Sequence, residues 1–146
     1  MAFPRMLKVQ QHFDAPQVDD IPATVKQQID GLNIGAKVKS GDTVAVTVGS
    51  RGINNIAIIT KAIVEALQEL GTKPFIVPAM GSHGGGTAEG QREIIESYGV
   101  TEDFVGCPIR ATMEVVQVGT VEGEVPVYFD KYASEADHVV VAGRIK

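Results

Sequence analysis

TVAVTVGSRGINNIAIITKAIVEALQELGTKPFIVP, residues 43–78, decides how this chain folds. Residues 43–48 are β-branched and nearly continuous in apolar character, the pattern of a strand covered on both faces. Gly49-Ser50-Arg51-Gly52 interrupts it. Asn54 or Asn55 can then cap a helix. Ile56, Ile59, Ile63, Ala66, Leu67 and Leu70 recur at spacings of three and four and lay one apolar stripe along it. Lys61, Glu65, Gln68 and Glu69 fall off that stripe. Gly71 is placed to end the helix in a left-handed conformation, and residues 74–78 form a second strand candidate.

The pattern then repeats. Residues 79–86 read AMGSHGGG, and Thr87 can cap a helix carrying Ile94, Ile95 and Tyr98. Glu89 in its first turn suits the positive end of the helix dipole, and Gly99 stops it. Residues 43–99 are therefore β-α-β-α with right-handed crossovers. Upstream, residues 7–13 are expected as an edge strand, and Asp20-Ile21-Pro22 as a helix entry, because proline is tolerated in the first turn. That helix should end near Gly31. Downstream, residues 113–118 and 125–129 read as the strands of a hairpin, residues 132–136 as a short helix, and residues 138–142 as a buried strand. The fold class expected is α/β: an open, Rossmann-like, mostly parallel sheet with helices on both faces and a β-hairpin excursion in the C-terminal third.

The 146 residues suit a single α/β domain, residues 1–146. The sequence stops one turn past a core strand, which predicts the N-terminal domain of a longer, two-domain protein. A net charge of -5 argues against a general nucleic-acid binder. No apolar run approaches the roughly 18 residues of a membrane helix, and residues 1–6 lack the apolar region of a secretory signal. One cysteine, Cys107, excludes an internal disulfide framework. A cytoplasmic protein is the expectation, with a homo-oligomer allowed.

In a parallel β-α-β unit the loops after both strands leave the same edge of the sheet, the edge where open α/β folds bind ligands. Arg51 lies on the first loop and His83 on the second. Strands about 4.8 Å apart would let both reach one ligand. Each loop enters a helix N-terminus, which favours phosphate or carboxylate. Arg51 can grip an oxyanion with two parallel hydrogen bonds, and His83 can move a proton near neutral pH. Taken alone, each residue is better explained by plain turn geometry or by an ion pair such as Arg51 with Glu89; taken as a pair on one edge, both readings stay open.

Other signatures fail. His83-Gly84-Gly85-Gly86 imitates the oxyanion loop of lipases, but the required G-x-S-x-G is absent, since Val48 stands where the first glycine belongs. Neither G-x-G-x-x-G nor a P-loop occurs in the glycine loops. His12, His83 and His138 are too scattered for a local metal motif. His12 reads as a solvated strand residue, His138 as a satisfied buried or edge histidine, and Cys107 as a small buried hydrophobe.

The order VGSRGINNI, PAMGSHGGGTAEGQREIIESYGV and MEVVQVGTVEGEVPVYFDKYASEADHVVVAGRIK resembles the N-terminal half of the nickel-dependent lactate racemase family, from about Gly41 to the last residue. The most specific pieces are Gly81-Ser82-His83 with Thr87 and Glu89, and Gly123-x-Val125-Pro126-Val127 followed by Glu135-Ala136-Asp137. The resemblance implies an enzyme that racemises or epimerises a 2-hydroxy acid. It implies a nickel-pincer nucleotide held between two domains, which accepts and returns the substrate's hydride. His83 matches the family's first acid/base histidine, and Arg51 its Thr-Arg-Pro arginine, with Ser50 in the threonine's place. Gly49, Ser50, Arg51 and Gly52 would lie near the cofactor phosphate. Val48 stands where the family carries aspartate, and Gly84 where it often carries arginine, so the implied substrate is a small hydroxy acid rather than lactate in particular. The second histidine and the nickel-binding lysine and histidine would belong to a C-terminal domain after Lys146. The 146 residues alone are then expected to be inactive and to hold no nickel firmly. The alternative is a non-catalytic nucleotide- or phosphate-binding α/β module.

Overall fold

The computed structural model describes residues 6–50 and 52–144. Arg51, residues 1–5 and residues 145–146 lie outside the described residues. Helix α1 (Ile21–Gly31) opens with Pro22 in its first turn, and the Asp20 carboxylate accepts the Ala23 N–H at 3.0 Å. Strand β1 (Thr43–Val48), helix α2 (Ile56–Glu69) and strand β2 (Lys73–Pro78) follow in the expected order. β1 and β2 pair in parallel, Thr43 opposite Lys73 and Val48 opposite Pro78. Gly71, at φ +79°, ends α2 in the left-handed region, which a residue without Cβ enters at little cost.

Helix α3 (Ala88–Ser97) and the one-turn helix α4 (Glu102–Val105) come next, each capped by a threonine hydroxyl, Thr87 and Thr101. The hairpin is β3 (Val115–Val121) and β4 (Val125–Asp130), paired antiparallel. Helix α5 (Lys131–Glu135) and strand β5 (His138–Val140) complete the chain. β5 adds in parallel to the free side of β1, giving the order β2-β1-β5. Residues 108–110 extend the sheet past β2: the Ile76 N–H donates to the Pro108 carbonyl at 2.9 Å, and the Arg110 N–H to the Ile76 carbonyl at 2.8 Å.

The pleat divides the sheet into two faces. Val44, Val46, Val48 and Ile76 point to one side and pack with Ile63 and Leu67 of α2 and Ile95 of α3, all buried. Ala45, Phe75 and Val77 point to the other, against Ala133 of α5. The α/β class, the parallel sheet with helices on both faces and the late hairpin are as expected.

Several local expectations need correction. Residues 7–13 form no strand; they are exposed and pair with none of the described strands. His12 is therefore solvated, as expected, but not on a strand. The hairpin turn is tighter than anticipated, because β3 runs on to Val121 and Glu122 and Gly123 turn at φ +52° and +75°. β5 stops at Val140 instead of residue 142. Asn55 occupies the N-cap position of α2 in a left-handed conformation (φ +58°), but its side chain makes no capping bond.

Side chains fasten β5 to β1 at both ends. The Asp137 carboxylate accepts the Thr43 N–H (2.8 Å) and hydroxyl (2.7 Å). The Thr47 hydroxyl oxygen accepts the Ala142 N–H at 3.0 Å. Beside the first clasp, His138 Nε2 lies 2.9 Å from the Asp42 carboxylate.

Candidate functional site

The two loops proposed from sequence leave the sheet side by side. The Ala79 N–H donates to the Val48 carbonyl at 2.8 Å, and a Cβ on Gly49 would lie 3.9 Å from the Ala79 carbonyl oxygen. The loops separate from there.

The glycine loop, residues 79–87, is a fastened arch. The Gln91 side-chain amide, buried on α3, donates to the Gly81 carbonyl at 2.6 Å. The Thr87 hydroxyl donates to the Gly84 carbonyl (3.0 Å) and accepts the Gly90 N–H (3.1 Å). Gly84, at φ +65°, lies directly on the first turn of α3: a Cβ there would come within 2.3 Å of the Gly90 carbonyl carbon. A Cβ on Gly90 would meet the Gly84 oxygen at 2.0 Å. Two backbones thus touch where only glycines fit. This contact also accounts for the absence of a longer residue after His83.

His83 stands between these fastenings, half-buried and extended at φ −65°, ψ 162°. Among the described residues, the hydrogen bonds of residues 79–91 run through backbone, Thr87 and Gln91, so the imidazole is engaged by none of them.

Loop 49–55 is held from the same helix. The Tyr98 hydroxyl, at the C-terminal end of α3, donates to the Ser50 carbonyl. The loop then enters α2 without a side-chain cap, whereas α1, α3, α4 and α5 are capped by Asp20, Thr87, Thr101 and Asp130. The first N–H groups of α2 remain available to an anion. Gly52, at φ +81°, lies under the Arg144 guanidinium, since a Cβ there would be 2.6 Å from Arg144 Nη1.

Gly49, Ser50 and Gly52 therefore share the sheet edge that carries the His83 arch. Arg51 lies outside the described residues. A cleft of about 630 Å³ opens beside Gly52 between α1, α2 and the β1–β5 half of the sheet. Gly52 is on its rim, and His83 is not among the residues that line it.

The groups with displaced protonation lie elsewhere. Asp42 and Asp137 are held below the usual carboxylate range, Asp42 by the Lys39 N–H and then by His138, Asp137 by the Thr43 N–H and hydroxyl. Both mark the opposite, N-terminal end of the sheet, where they fasten strands. Burial pushes the Cys107 thiol up to about 11, consistent with a structural hydrophobe. Among the described residues no group of three or more His, Cys, Asp or Glu is placed to hold a metal ion, and no helix is long and apolar enough to cross a membrane.

Sequence reasoning did not identify Gln91, Tyr98 or Arg144. Gln91 carried a readable signal: it sits four residues before the buried Ile95, on the helix face that should be apolar. Tyr98 was assigned to that face, but its partner is a loop 48 residues away.

Residues 6–146 match the family model described as the lactate racemase N-terminal domain. No curated protein and no solved structure matches the chain.

Proposed function

Because the chain belongs to the lactate racemase N-terminal domain family, we propose that it is the N-terminal domain of a nickel-pincer-nucleotide-dependent racemase or epimerase of a small 2-hydroxy acid, working in the cytoplasm. The observation that carries the reading is the half-buried His83 on its fastened arch, its imidazole without a hydrogen-bond partner among the described residues, at the edge where α2 begins uncapped. In this role His83 takes the proton of the substrate hydroxyl at an imidazole nitrogen and later returns it. Arg51 grips the substrate carboxylate.

The residues present suit a phosphate-bearing cofactor. The first turn of α2 has no side-chain cap and can receive a phosphate through its N–H groups, and the Arg144 guanidinium over Gly52 adds a cation beside it. When bound, the nickel-pincer nucleotide supplies the hydride acceptor. The nickel ligands belong, on this reading, to a C-terminal partner domain, so this domain alone is inactive.

The test is the two-domain protein charged with nickel-pincer nucleotide and offered a panel of single-enantiomer hydroxy acids, with interconversion followed by chiral chromatography. His83→Ala should reduce turnover by about 10²–10⁴-fold with an unchanged Tm. Full activity in that variant removes His83 from the chemistry.

The uncapped start of α2 also favours a second reading, a nucleotide- or phosphate-binding module without catalysis. In that case adenine nucleotides or phosphate raise the Tm of this chain, Arg51→Ala abolishes the increase, and the two-domain protein interconverts none of the acids.

A further inference from the structure

Almost every residue of the β3–β4 hairpin is exposed. The hairpin is joined to the body at its base, where the Lys131 N–H of α5 donates to the Glu114 carbonyl at 3.1 Å. Two strands alone are marginally stable in water. The register sorts the residues by face, because cross-strand partners point to the same side. Val116 lies opposite Phe129, Gly119 opposite Val127 and Val121 opposite Val125. That face is apolar throughout, yet Val121, Val125, Val127 and Phe129 are 38–61% exposed. The other face carries Gln117, Thr120, Tyr128 and Asp130.

The two edges of the hairpin differ. β4 holds Pro126, which has no N–H to offer, and ends on Asp130. β3 reads VVQVGTV, without proline or charge. Natural proteins guard a free edge with such residues, so the unguarded β3 is the edge open to an added strand.

Residues 7–13 have the matching pattern. Leu7, Val9 and Phe13 alternate with Lys8, Gln10 and His12, and the three apolar side chains are at least 75% exposed. Charge agrees with pattern. Residues 6–13 hold Lys8 and no acid, whereas residues 114–130 hold Glu114, Glu122, Glu124 and Asp130 and no lysine or arginine. Within one chain the two elements are kept apart. The segment leads into α1, whose Ile29 packs on the Ile63 and Leu67 side of the main sheet, while the hairpin is joined to α5 on the other side.

We propose that two copies of this chain exchange residues 7–13, each segment adding antiparallel to β3 of the other copy. With Leu7 opposite Val121, Leu7 and Val9 extend the apolar face, and Lys8 comes beside the turn that holds Glu122 and Glu124. The exchange is reciprocal, so the pair closes as a two-fold dimer. It requires no role for His83 and stands or falls apart from the racemase reading.

Light scattering over a concentration series, with hydrogen exchange of the β3 amides, tests this on the whole chain. A monomer–dimer equilibrium is expected, with β3 protection rising as the dimer forms. Neighbouring N–H groups of a strand point to opposite edges, so Val9→Pro with Gln10→Pro removes one from the ladder whichever edge pairs. The substitutions lie in a segment that the single chain leaves unpaired. They should raise the dissociation constant at least about tenfold and leave the circular dichroism of the monomer unchanged. Lys8→Glu should weaken the dimer, and adding Glu124→Lys should restore it. A monomer at every concentration overturns the proposal. A dimer that survives the two prolines uses another surface and overturns it as well. Protection of β3 that does not change with concentration gives the edge to an occupant within the same chain and overturns it equally.

Discussion

Replacing Gly84 by alanine tests the close backbone contact that supports His83. Two costs arise. The first is the left-handed backbone at φ +65°, worth about 1–2 kcal/mol for a residue with a Cβ. The second is the clash with Gly90 and Gln91, where the added methyl would sit 2.3–2.5 Å from backbone atoms. Overpacking of this kind costs about 1–3 kcal/mol, and rigid backbone cannot turn aside as a flexible side chain would. The sum is about 2–5 kcal/mol. Gly85 supplies the control: its φ of +68° is nearly the same, but a Cβ there meets nothing within 4 Å. Gly85→Ala should therefore incur only the first cost. The entropy that alanine removes from the unfolded chain is common to both variants and cancels in the comparison. Urea unfolding followed by circular dichroism measures the difference. In thermal melts it should appear as a Tm about 3 °C lower per kcal/mol for a chain of this length. If the two variants agree within about 0.5 kcal/mol, the arch does not rest on α3 as described.

Acidification should release the clasps at the N-terminal end of the sheet. The folded carboxyls of Asp42 and Asp137 are held down, so their contribution is complete above the ordinary carboxylate range and is lost as pH falls through their lowered values. Asp42→Asn with Asp137→Asn should flatten the acid limb of Tm against pH, and an unchanged limb contradicts the assignment. Cys107, buried and with its thiol raised to about 11, should resist a thiol reagent at pH 8 until urea unfolds the chain; rapid labelling of the native protein would show the segment after α4 opening locally. Thr47→Val cuts the clasp between positions 95 residues apart. Contacts that close so long a loop form late, so stopped-flow measurements should show faster unfolding with little change in folding rate.

The β1-α2-β2 unit was legible because its signals agree. Strand composition, a helical stripe and a terminating Gly71 all point to one arrangement, and the core formed by Val46, Leu67 and Ile76 completes it. Legibility failed where a residue's role depends on a distant partner. Residues 7–13 have strand-like composition but pair with none of the described strands. Asp137, read only as part of a resemblance, proved to be a clasp for Thr43, 94 residues earlier. Asp130 caps α5 by accepting the Ala133 N–H. The candidate site divides the same way. The sheet edge and the glycine arch follow from local pattern, whereas the bonds that hold the two loops, from Gln91 to Gly81 and from Tyr98 to Ser50, require the tertiary structure.

Helix α3 has a mechanical consequence. It is ten residues long, about 15 Å, with one end beneath the His83 arch and the other bonded through Tyr98 to the Ser50 carbonyl. A displacement of one loop is therefore expected to load the other through the helix. Tyr98→Phe removes the linkage at one end. Amide shifts near Ser50 that Gly84→Ala causes in the parent chain should then fall silent, and shifts that persist would mean the strain passes through the sheet instead.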